Sequence, residues 1–337
     1  MKEYLMNHPR RPSALFTIML LLLASCAKDE GRTTSAAPAA RASLRVAVNP
    51  VPQSALVIIA AERGYFAREN LDVTVSRFPT GKLAFDAVLG GAADVATVAD
   101  VPIMYALMSG QAPAVLATIE RSGKSVKLLA RKDAAIASPA DLRGKKVGTF
   151  KGSSGEFFLD ALLAKHHVPS AEVAIVHLQP PDLVTAITRK DVAAISIFEP
   201  HIHNAATVLG SNALVVEDPS VYTEIFNVAT TEKALAARQD AFVSFLRALQ
   251  RAADDIRRDP NGAQASVARF TQLDPNVLRE IWPMFQFTIT TDRVLPDLLR
   301  READFAVRSG SLPAPSSEPQ FERVLKPEVL SKATATP

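Results

Sequence analysis

The sequence predicts an α/β fold built as two lobes. From Leu44 onward, short apolar runs alternate with stretches of helical periodicity. That alternation restarts after the polar stretch Arg121–Ser125, and after Thr231 the chain reads as almost wholly helical. A βαβα order argues for a parallel sheet covered by helices, and two such blocks followed by helices argue for two lobes. No repeat with a fixed period of roughly 20–50 residues is present, which argues against a solenoid.

In order, Leu44–Asn49 reads as a strand and Ser54–Phe66 as a helix ending near Gly64. Leu71–Phe78 alternates like a strand, and Gly81–Leu89 groups Ala84, Phe85, Val88 and Leu89 on one helical side. Asp94–Ala99 is a strand and Pro102–Ser109 a helix. In the second block the strands are Val126–Arg131, Lys145–Phe150, Val173–Leu178 and Val192–Phe198, with helices Gly155–His167 and Asp182–Lys190 between them. Ala213–Glu217 and Phe226–Thr230 are the last predicted strands. Glu232–Arg258 holds a long amphipathic helix, and Pro275–Met284 and Asp292–Ser309 are further helices. The Pro- and Ser-rich segment from Ser311 reads as a weakly structured tail.

The chain has 337 residues, of which 48% are apolar, enough for a sizeable core. Its formal charge is +3, but Lys2, Glu3, Arg10 and Arg11 fall in the first 25 residues, and the rest is formally +1. So balanced a chain offers no electrostatic case for nucleic acid.

The N-terminus reads as an export signal: a basic segment with Lys2, Arg10 and Arg11, then the apolar run Ser13–Leu23. That run is shorter than the about 20 residues of a membrane span. It ends in Leu23-Ala24-Ser25-Cys26, which resembles the lipobox of bacterial lipoproteins. The resemblance implies cleavage after residue 25 and acylation of Cys26, with palmitate among the acids that such anchors carry. Cys26 is the only cysteine, so no intrachain disulfide can form. Residues 26–42 read as a flexible tether with an average reach of about 20–25 Å.

Several segments resemble the nitrate/sulfonate/taurine (thiamine-pyrimidine-like) binding proteins. Ala60-Ala61-Glu62-Arg63-Gly64-Tyr65-Phe66 followed by Glu69-Asn70-Leu71-Asp72-Val73 is similar to the opening of that family, with Asn70 in place of its usual glycine. Gly90-Gly91-Ala92-Ala93-Asp94-Val95-Ala96 resembles its lead-in to the third strand. Ser138–Gly148, Lys151-Gly152-Ser153-Ser154 and Ile197-Phe198-Glu199-Pro200-His201 match further motifs in the family's order, although Ala193-Ala194 stand where its strand usually carries Asp.

The resemblance covers about Leu44 to Asp259 and implies the class II periplasmic-binding-protein fold, two α/β lobes joined by two crossover strands. Residues 43–125 would begin lobe 1, 126–214 would form lobe 2, 215–310 would return to lobe 1, and 311–337 would be the tail. The function it implies is that of an extracytoplasmic, lipid-anchored monomer. Such a protein delivers a small anionic or zwitterionic solute (nitrate, sulfonate, taurine or similar) to an ABC permease and ATPase. A ligand-binding enzyme or a sensor on the same fold is the alternative.

Predicted helix starts at Thr80-Gly81, Asp100 and Gly152-Ser153-Ser154 follow strands. A helix N-terminus offers free N–H groups and partial positive charge to an anion, and ligands of open α/β sheets sit at the carboxyl ends of the strands. The same residue types are ordinary N-caps, and the two roles are compatible. Lys82 could add charge there. Gln53 and Ser54 lie on the same predicted edge, and Glu199 at a strand end could accept from a ligand amine or hydroxyl. His166-His167 and His201-x-His203 lack the companions a metal site needs. No metal, cofactor or catalytic residue is expected, and Trp282 reads as core.

Overall fold

The computed structural model describes residues 41–315 and 317–335. The predicted leader, Cys26 and the tether as far as residue 40 lie outside the described residues. Strand β1 (Ala42–Val48) pairs in parallel with β2 (Leu71–Arg77) and β3 (Val95–Ala99). Helices α1 (Ala55–Glu62) and α2 (Tyr65–Arg68) connect β1 to β2, and α3 (Gly81–Leu89) connects β2 to β3. Helix α4 (Asp100–Met108) then leads to β4 (Pro113–Ser122).

The chain next builds a second sheet from β5 (Val126–Arg131), β6 (Lys146–Thr149), β7 (Ala174–His177), β8 (Ala194–Phe198) and β9 (Ala213–Val216). Helices α5 (Ser154–Lys165), α6 (Pro180–Thr188) and α7 (His201–Leu209) lie between these strands in sequence. It returns in β10 (Glu224–Thr231) and continues through α8 (Glu232–Arg258), α9 (Pro260–Thr271), α10 (Pro275–Ile281), β11 (Gln286–Thr290), α11 (Leu295–Arg308) and α12 (Pro327–Thr334). The sheet orders are β11-β4-β10-β3-β1-β2 and β7-β6-β8-β5-β9. This is the two-lobe α/β architecture, with the lobes linked by the segments between β4 and β5 and between β9 and β10.

The sheets are mixed, not parallel as the βαβα pattern suggested. β10 runs antiparallel to both β3 and β4, and β5 runs antiparallel to β8 and β9. Each reversal accompanies a crossing between the sheets. β4, α7, α9 and β11 were not foreseen as separate elements. The tail is also more ordered than its composition implied. Val329, Leu330 and Ala333 of α12 are buried in the same cluster as Phe242, Phe245 and Leu249 of α8.

Several sequence motifs have local structural reasons. Asn70 adopts φ +58°, the left-handed region that Asn tolerates better than most residues, so it can stand where the family has glycine. Asp94 accepts from the backbone N–H of Arg45 at 2.8 Å and pairs with its guanidinium at 2.8 Å, which ties the start of β3 to β1. Ser138 and Asp141 form a capping box on the turn before β6.

The apolar core has three parts. One packs α1, α8, α9 and α10 on one face of the first sheet. A second runs from α3, α4 and α11 on the other face into β5, β6 and α5, so the apolar interior continues from lobe to lobe. The third lies between the second sheet and α6 and α7. Among the described residues no helix is long and apolar enough to cross a membrane.

Candidate functional site

A small cavity of about 30 Å³, open on one side to solvent, lies between the lobes. The first lobe contributes Asn49, Val51 and Gln53 after β1, Thr80, Gly81 and Lys82 at the start of α3, Ala99 and Pro102 around the start of α4, and Glu224 and Phe226 of β10. The second lobe contributes Phe150, Ser153 and Ser154 between β6 and α5, and Phe198 at the end of β8. Most of these residues follow the carboxyl ends of strands, where the topology gathers helix N-termini.

The caps that sequence suggested are present. Thr80 Oγ1 accepts from the Leu83 N–H at 3.2 Å, and Ser153 Oγ accepts from the Glu156 N–H at 3.4 Å while donating to Phe150 O at 2.6 Å. Gly152 has φ +70°, and its N–H donates to the Glu156 carboxylate at 2.7 Å. A carboxylate of the protein therefore already occupies one donor of the expected anion cradle. Gly155 permits a close approach, since a Cβ there would lie 2.7 Å from Ser196 O.

Of the nine ligand residues expected from sequence, Gln53, Thr80, Gly81, Ser153 and Ser154 line the cavity. Gly152 lies beside it, where an added Cβ would come within 3.6 Å of the Lys82 side chain. Ser54, Asp100 and Glu199 are turned to structural partners. Ser54 Oγ lies 2.7 Å from Asn49 O and 2.9 Å from Thr97 Oγ1. Asp100 accepts from the N–H groups of Val101 and Ile225, each at 2.8 Å, and from the Tyr222 hydroxyl. Glu199 pairs with buried Lys127 at 3.0 Å and accepts from the His203 N–H at 2.9 Å, which caps α7. Trp282 is half-buried against the first-lobe core, with its ring 4.6 Å from Phe287.

Glu224 was missed, because the predicted strand began at Phe226 and left it in a connection. Its side chain is buried, accepting from Ser125 Oγ at 2.9 Å and Gln53 Nε2 at 3.4 Å. Burial pushes its pKa up, against the pull of hydrogen bonds from Ser154, Ser125 and Gln53. More buried acids surround it. Glu120 faces Phe226 across β4 and β10, and burial and the charge of Glu224 push it well above the usual carboxylate range. Burial, then Glu224, raises Asp100 to about 7, and burial raises Glu302 strongly, with Asp100 the next cause. His201, half-buried and edge-on to Phe198, is lowered to about 4 by desolvation and stays neutral near pH 7. No group of His, Cys, Asp and Glu suited to a metal ion occurs among the described residues.

Comparison with known proteins places this architecture. The NMT1/THI5-like family model matches residues 51–263. A Bacillus subtilis (strain 168) protein, provisionally named as an aliphatic sulfonates-binding protein, is 25% identical over 265 residues, 76% of this chain and 79% of that one. The riboflavin-binding protein RibY of Chloroflexus aurantiacus is 24% identical over 346 residues, 90% of this chain and 94% of its own. Among solved structures, the periplasmic aliphatic sulphonate binding protein SsuA from Escherichia coli superposes with a TM-score of 0.74 at 20% identity, covering 85% of this chain and 92% of that one. The family match spans well over half of the chain, and the chain belongs to the NMT1/THI5-like family.

Proposed function

We propose that this chain is the solute-binding protein of an ABC importer. The cavity walled by both lobes carries this reading: a solute held by Thr80 and Gln53 on one side and by Ser153 and Ser154 on the other joins the lobes. Closure then presents a surface that differs from the open form, which is what a permease must recognise. Names of the relatives, for sulfonates and riboflavin, support a solute carrier over an enzyme.

Export through residues 1–25 and acylation at Cys26 complete the proposal. They rest on Leu23-Ala24-Ser25-Cys26 and the apolar run before it. The chain would stand outside the cytoplasmic membrane, tethered by the residues between Cys26 and β1 and working as a monomer beside its permease and ATPase.

Native mass spectrometry of protein purified without refolding tests the carrier reading. A small molecule should be retained at one per chain and recovered chemically unchanged. At about 100-fold over its dissociation constant it should add roughly 2.7 kcal/mol to stability, and solution scattering should show compaction. Conversion of the molecule would favour the enzyme, and binding without compaction would remove lobe closure.

A further inference from the structure

Two buried acceptors, the Glu224 carboxylate and Gln53 Oε1, stand in the lining of this cavity beside the helix N-termini. Glu224 is 1% exposed, and its partners Gln53, Ser125 and Ser154 are all neutral. The Gln53 amide donates toward Glu224, and its Oε1 is buried with no hydrogen-bond partner among the described residues. Lys82 is the one cation among the lining residues, and its Nζ is held 2.7 Å from Asp86. At the start of α5 the Glu156 carboxylate sits on the Gly152 N–H, which lowers that helix terminus's attraction for an anion. The remaining wall is apolar, with Phe150, Phe198 and Phe226 around the space.

A buried acceptor without a partner destabilises the fold unless a donor reaches it. A buried carboxylate whose hydrogen-bond partners are all neutral favours a cation or an N–H donor and repels an anion. From this we infer that the solute carries a protonated amine or equivalent N–H group, seated on Glu224 and Gln53 Oε1, with its apolar framework among the three phenylalanines. Anions without such a donor, nitrate and simple sulfonates among them, are poor ligands. The inference rests on the reading of this cavity as the solute site and narrows the solute to one chemical class.

Matched probes test it on the full chain. Taurine is set against ethanesulfonate, benzamidine against benzoate, and nitrate is run alone, each read by thermal shift and titration calorimetry. At least one donor-bearing member should bind about tenfold or more tightly than its donor-free partner, the usual range for a charged hydrogen bond. Glu224→Gln should remove that preference while still giving a single cooperative melt without probe. Tighter binding by the donor-free members or by nitrate overturns the inference, and so does failure of every probe. Native mass spectrometry of the same preparation separates the two possible failures. A retained molecule lacking N–H donors overturns the donor class and leaves the carrier reading standing, whereas an empty protein that binds no probe removes both.

Discussion

The Tyr222 hydroxyl donates to the Asp100 carboxylate, which joins the start of α4 to the crossover that brings the chain back from the second lobe. The other carboxylate oxygen takes the Ile225 N–H at 2.8 Å, so the first residues of β10 are fixed from the same point. Asp100 looked like a ligand contact in the sequence. Its position makes it a clamp on the joint between lobes.

Stability should fall as pH rises from about 4 to about 7. Burial raises both Asp100 and Asp160 to about 7, so in that window the folded chain binds more protons than the unfolded chain. Urea melts at pH 5 and pH 8 measure the difference. Asp100→Asn should flatten the slope and lower stability at pH 5 by about 1–3 kcal/mol, because one donor loses its acceptor. An unchanged slope would show that Asp100 keeps an ordinary pKa.

Lys127 and Glu199 form an ion pair at 3.0 Å with side chains only 6% and 1% exposed. Lys127→Met alone should cost about 3–5 kcal/mol by leaving a buried carboxylate unpaired. Adding Glu199→Gln should recover much of that loss. A double mutant as unstable as the sum of the single mutants would mean that the pair is not coupled.

The two glycines at the start of α5 should respond to different causes. Gly155→Ala places a Cβ 2.7 Å from Ser196 O, so α5 must shift off β8, at a cost of about 1–3 kcal/mol. Gly152→Ala meets nothing nearer than 3.6 Å but is strained at φ +70°, at a cost of about 1–2 kcal/mol. Denaturant melts rank the two, and solute affinity should suffer in both, because α5 carries Ser153 and Ser154.

Leu330→Ala in α12 should destabilise the fold by about 2–5 kcal/mol, since Leu330 is buried in the first-lobe core. A loose tail would give no change in the melting temperature.

Cys26→Ser should leave the chain with its leader uncut or free of the membrane fraction. One acyl chain binds membranes only marginally and several anchor firmly, at about 0.8 kcal/mol per buried CH₂. A mutant that is cleaved normally yet fractionates with membranes as the wild type does would remove the proposed anchor.

Legibility from sequence followed the reach of each signal. Helices with one apolar stripe, such as α3 and α8, were visible because their periodicity is local. β4 was not, because nine of its ten residues are buried and it shows no alternation before it meets Arg121. In α12 the buried Val329, Leu330 and Ala333 span little more than one turn, too short for a period to stand out. Lys127 alternates like a solvent-facing residue, and its partner lies 72 positions away. Five of nine site residues reached the cavity because strand-end loops were readable, whereas the buried carboxylate of Glu224 depends on a fold that brings β10 between two earlier strands.

That placement of β10 also sets an order of assembly. β3 and β4 are made early, yet no pairing joins them, since β10 fills the gap between them. Until residue 231 has emerged and the whole second lobe has been spun out, both strands keep a bare hydrogen-bonding edge. The first lobe therefore cannot fold ahead of its neighbour as an independent domain would. A chain delivered N-terminus first stays open and adhesive until more than two-thirds of it is available, and it then closes by inserting its latecomer into the middle of the oldest sheet.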